Sequence, residues 1–159
     1  MSHKPRKPAR PAGPARVLIT GCRHWRCQSL ADKVVTRLIR RHGSDLVIVH
    51  GDCPTGIDAM FAEAARVLEV RVEAHPASWD LRGKGAGPVR NQEMVNAGAL
   101  VCLAFHRDLM ASKGTKDCAI RALRAGIPTW LIADERIVLV RLKPSDFGIV
   151  SDEIPTMLF

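Results

Sequence analysis

Tyrosine is absent from this chain, and four phenylalanines and three tryptophans are its whole aromatic complement. A nucleic-acid surface built on base stacking needs aromatic faces in number, so that class is disfavoured. The cysteines are too irregular for a disulfide framework. Cys22, Cys27, Cys53, Cys102 and Cys118 form an odd set with no CxxC pair and no His-rich surround, which also argues against structural zinc. No apolar run approaches the length of a bilayer span. No apolar stretch follows the amino-terminal charges as it would in a secretory leader. Neither a nucleophile–base pair nor a metal-ligand spacing stands out, so no metal and no cofactor is expected. These absences suit a protein of the reducing cytoplasm with no membrane partner.

What is present fits one folded domain: 159 residues, 47% of them apolar, enough for a sizeable core. The formal net charge is +8. Lys4, Arg6, Lys7 and Arg10 precede residue 16 with no acid among them, so the rest of the chain carries only +4. Pro5, Pro8, Pro11 and Pro14 interrupt the same stretch, which excludes a helix. Residues 1–15 read as a disordered, basic, Pro-rich arm. It is either a solvated extension or a weak electrostatic contact to nucleic acid.

Beyond the arm, strand and helix patterns alternate. Short β-branched runs at 16–20, 46–50, 70–74, 100–105 and 129–132 predict five strands. Between them, 29–41, 57–68, 88–97 and 115–125 have helical spacing, with Ser29–Asp32 and Thr55–Asp58 as capping pairs and Pro88 opening its helix. Strands apolar throughout are covered on both faces, as in a parallel sheet with right-handed crossovers. The expectation is an α/β, Rossmann-like, doubly wound, mainly parallel five-stranded sheet with helices on both faces. It spans 16–133, followed by a C-terminal extension, 134–159, with an edge strand near 137–142. The apolar end of that extension (Ile154, Met157, Leu158, Phe159) either folds back or docks on a second copy, making a homo-oligomer.

Ligands of such sheets sit beyond the carboxyl ends of the strands, which directs attention to four loops. The first holds Gly21 and Arg23, a close-approach glycine and a guanidinium able to fork onto a phosphate. The second runs from His50 to Asp58. Gly51 and Gly56 have phosphate-loop spacing, but Ile57-Asp58 stands where a Walker A loop has Lys-Ser/Thr. What remains is a strand-to-helix turn with free amides at a helix start, Asp58 either capping it or accepting from a ribose hydroxyl. The third holds three glycines, Gly83, Gly85 and Gly87, then Arg90 and Asn91. Arg90 faces an anion or pairs with Asp80. The fourth ends in Gly114-Thr115 ahead of a helix, again a hydroxyl and free amides. His24, His50, His75 and His106 lie near the same edge as bystanders, and Trp25 and Trp79 either flank a ligand or pack under loops.

Taken in order, Val17-Leu-Ile-Thr-Gly-Cys-Arg-His-Trp25, Val49-His-Gly-Asp-Cys-Pro-Thr-Gly-Ile-Asp58, Ala86-Gly-Pro-Val-Arg-Asn91 and Lys113-Gly-Thr115 resemble the YspA-like family of the SLOG superfamily. The resemblance runs from Arg16 to Ile132. It implies a Rossmann-like fold and a nucleotide or nucleotide-derived ligand, with relatives among Lonely Guy phosphoribohydrolases and DNA-processing proteins of the DprA type. It also implies a pocket lined by Gly21, Arg23, Gly51, Gly56, Asp58, Arg90, Asn91, Gly114 and Thr115, to which Asp52 is added as Gly51's neighbour. The phosphoribohydrolases carry a catalytic glutamate where this chain has Cys118. Their preceding glycines are replaced by Leu109 to Ser112. The departure favours a binding or sensing role over glycosidic hydrolysis by that mechanism. A hydrolase of a nucleotide's glycosidic or phosphate bond, with Asp58, Asp52 or Asp117 as acid, and a DNA-associated protein using the arm are the alternatives.

Overall fold

A computed structural model describes residues 13–150. The arm lies outside it apart from residues 13–15, as does the apolar end of the C-terminal extension. Six strands form one sheet in the order β3-β2-β1-β4-β5-β6: β1 (Ala15–Gly21), β2 (Leu46–His50), β3 (Arg71–Ala74), β4 (Val101–Phe105), β5 (Thr129–Ile132) and β6 (Leu139–Arg141). The first five pair in parallel and β6 runs antiparallel to β5. The expected five-strand count is therefore corrected to six, the sixth being the edge strand anticipated near residue 139. Its three residues are all exposed, so it adds to the sheet without adding to the core.

Helices α1 (Gln28–His42) and α2 (Gly56–Val67) cover one face. There Val17, Ile19, Leu46, Ile48, Leu103 and Phe105 meet Leu30, Val35, Phe61 and Ala65. Helices α4 (Ala86–Asn96) and α5 (Gly114–Arg124) cover the other, where Leu18, Val47, Val49 and Cys102 meet Met94, Val95, Cys118 and Ala122. Successive residues of β1 thus feed opposite cores, the period-two alternation of a strand buried on both sides. Only the inner strands read this way. β3 is an edge strand with Arg71, Val72 and Ala74 exposed.

A short helix, α3 (Trp79–Arg82), and a single 3₁₀ turn over Gly83–Gly85 fill much of the stretch between β3 and α4. Pro88 does not open α4. It is the third residue, where its missing N–H is still one of the four that no helix can satisfy internally. Ala86 and Gly87 ahead of it are buried. The predicted caps are not made either. Cys27 precedes α1, and neither it nor Thr55 gives its helix a side-chain cap. Thr115 lies inside α5, behind Lys113 at the cap position.

Candidate functional site

Strand order turns about β1 and β4, whose carboxyl ends lie side by side with Gly21 opposite Phe105. A cleft of about 430 Å³ opens there, at the switch point where open α/β sheets hold their ligands. Its walls include Gly21, Arg23, Gly51, Asp58, Arg90, Asn91, Gly114 and Thr115. Eight of the ten residues singled out from sequence thus share one cavity. Asp52 and Gly56 do not line it. Asp52 is exposed with φ 56, and Gly56 borders a separate depression with Trp25 and Pro54.

The glycines do different work from that expected. A Cβ on Gly21 would lie 2.5 Å from Ile57 Cγ1, one on Gly51 would lie 2.4 Å from the Arg90 guanidinium, and one on Gly56 would lie 2.3 Å from Cys22 O. Each makes room for protein, and Gly56 also needs its φ of +70. Around Gly56 the first two loops are laced together. Ile57 N–H donates to Cys22 O at 3.0 Å and the Thr55 hydroxyl donates to Arg23 O at 2.9 Å. The Ile57 amide at the start of α2, expected to be free for a ligand, is therefore already used.

Asp58 is shut in behind this lacing, 7% exposed. Its Oδ2 accepts from Cys53 N–H at 3.2 Å. Burial raises its pKa, and the Cys53 amide and the nearby His50 and Arg90 only partly offset that. It is thus no ordinary capping carboxylate. Burial likewise lowers the pKa of His50, whose Nε2 is buried with no partner among the described residues.

Arg90 does not reach Asp80. It donates to Gly51 O, to His75 O at 3.4 Å and to Asn91 Oδ1 at 3.0 Å. Asn91, buried, passes the connection on, donating to Gly114 O at 3.3 Å and Asp117 Oδ2 at 2.9 Å. Arg121 donates to that same Asp117 oxygen at 2.9 Å. Both residues therefore brace the cleft, tying α4 to the β2 loop and to the start of α5.

Donors also line the cleft. Arg23 and Lys113 are exposed, with no ion-pair partner among the described residues, and Ser112, Gly114 and Thr115 bring the first turn of α5 to the cavity. Asp58 is the one carboxylate on the walls. Cys118 lies in the core beside Cys102, wholly buried, so the position matched to a catalytic glutamate does not face the cleft. Trp25 packs in the core, its Nε1 donating to Glu135 at 3.0 Å, and Trp79 stands half exposed outside the cleft. His106, Cys22 and Cys53 line the cavity without having been proposed from sequence. Cys22 and His106 directly follow strand ends, and that position was the available signal. Among the described residues no group of acids, histidines and cysteines could hold a metal ion, and no helix is long and apolar enough to cross a membrane.

The family model described as YspA, cpYpsA-related SLOG family matches residues 15–81. Among curated proteins, the Gene 61 protein of Mycobacterium phage D29 is 39% identical over 124 residues, covering 76% of this chain and 98% of that protein. No solved structure matches.

Proposed function

Since this chain belongs to the YspA, cpYpsA-related SLOG family, we propose that it binds a nucleotide or nucleotide-derived ligand in the β1–β4 cleft, in the manner of a sensor. The phosphate takes Arg23, Lys113 and the start of α5, and the ribose takes Asp58. The carrying observation is the mixed lining of the cleft. Arg23, Lys113 and the first turn of α5 bring cations and helix-start amides to it, which suits a phosphate. Asp58 brings a buried carboxylate that repels phosphate but accepts from a hydroxyl.

A thermal-shift panel of ATP, ADP-ribose, NAD and nucleoside monophosphates tests this. A ligand at a hundredfold its Kd stabilises the fold by about 2.7 kcal/mol. Arg23→Ala should abolish the shift and leave the unliganded melting point within about 0.5 kcal/mol of wild type, because the side chain is exposed and has no ion-pair partner among the described residues. A full shift in the variant removes Arg23 from the site.

Asp58 favours one second reading, a hydrolase of the ligand's glycosidic or phosphate bond. A buried carboxyl with a raised pKa, facing a cleft, is the environment in which acids serve as proton donors. Chromatography of incubated nucleotides, with Asp58→Asn as control, separates turnover from binding alone.

A further inference from the structure

We propose that His106 is a ligand contact, its Nε2–H donating to an anionic oxygen of the bound molecule. The proposal rests on the nucleotide reading above and adds a side chain that reading does not include.

His106 follows β4 directly and lines the cleft. Its Nδ1 lies 3.0 Å from the backbone N of Asp108. A backbone amide only donates, so Nδ1 is the acceptor, and the neutral ring carries its proton on Nε2. The same device ends β2. There the Asp52 N–H lies 3.0 Å from His50 Nδ1. β2 and β4 are the two neighbours of β1, so the strand at the switch point is flanked by two His-x-Asp turns that hold their rings in one tautomer.

The two rings differ in where the remaining donor goes. In His50 it is buried and unpartnered. In His106 it belongs to a half-buried ring that lines the same cleft as Arg23 and Lys113. No protein acceptor takes the His106 Nε2 proton among the described residues. A donor of fixed tautomer, in a cleft that Arg23, Lys113 and the first turn of α5 also line, is left for an acceptor from outside the chain, and an anionic oxygen suits it.

A ring that only stabilised its turn would use Nδ1 and nothing else, and the two amides separate these roles. His106→Asn keeps an acceptor near Nδ1 and loses the reach of Nε2. His106→Gln keeps a donor near Nε2 and loses the acceptor for Asp108. Calorimetric titration of the full chain with AMP, and separately with inorganic phosphate, reads the difference. The expected result is at least about a tenfold loss of affinity in His106→Asn at unchanged melting temperature, with His106→Gln closer to wild type. Wild-type affinity in His106→Asn overturns the contact. Equal losses in both variants, accompanied by lowered melting temperatures, overturn it in favour of a turn role. Two-bond ¹H–¹⁵N correlation of the unliganded protein gives a separate reading, and a proton found on Nδ1 also overturns it. If the wild-type chain binds neither these probes nor ATP, ADP-ribose or NAD, the nucleotide reading falls together with this one. Binding that survives His106→Asn sinks this one alone.

Discussion

Asp58 and His50 are neighbours, both buried, and burial pushes their titrations in opposite directions. The stability consequences are therefore opposite too. For Asp58 the folded pKa lies above the unfolded 3.8, so the native state holds the extra proton, and stability falls as pH rises from 3.8 through the raised value. Asp58→Asn should melt higher than wild type at pH 7, the gap closing towards pH 3. For His50 the folded pKa lies below 6.5, so stability is lost as pH drops below 6.5 through the lowered value. Asp52, Asp58, His75 and Arg90 all act on that ring. Glu73, at the sheet edge, supplies a simpler case. Hydrogen bonds from Arg16 hold its carboxyl down to about 2, so its contribution is intact above 4.5 and is lost progressively as pH falls through that value. Glu73→Gln should cost about 1 kcal/mol at pH 7, since the pair is partly exposed, and progressively less as the pH is lowered below 4.5. Melting curves across pH check all three.

Among the elements, the start of α2 is laced to the β1 loop, and glycine substitutions in α2 and α5 separate packing from binding. Gly56→Ala combines a left-handed φ with a backbone collision at 2.3 Å, and should cost about 3 kcal/mol or more in a denaturant titration. Gly114→Ala meets nothing within 4 Å and should leave stability within about 0.5 kcal/mol, so that any lost ligand affinity belongs to the site. Much of this framework is legible in the sequence. The inner strands announce themselves because a strand buried on both faces has no polar alternation to confuse it with a surface helix. The crossover rules then place the loops after β1 and β4 side by side. The start of α4 is not legible. Gly85-Ala86-Gly87-Pro88 has poor helical propensity, and the turn forms because Ala86 and Gly87 are buried against the fold. Nor do residue types reveal that Gly21, Gly51 and Gly56 make room for Ile57, Arg90 and the β1 loop. A phosphate loop and a tight protein crossing call for the same residue, and only the tertiary neighbours tell them apart.

At the scale of the whole molecule the chain enters β1 at Ala15, and the cleft lies beyond the other end of that strand at Gly21. Deleting residues 1–12 should therefore leave nucleotide affinity within about twofold of wild type, while any nucleic-acid binding, with its steep salt dependence, should vanish with the four charges it removes. Filter binding at two salt concentrations, beside calorimetry, checks both halves. Cys22 has a further consequence for this protein. Its N–H donates to Phe105 O across the switch point and its C=O accepts from Ile57 N–H, each at 3.0 Å. One residue thereby bolts two strands to a helix. No local fraying can release that amide without parting the sheet, so in deuterium its proton should be among the last to exchange, clocking the opening of the entire domain.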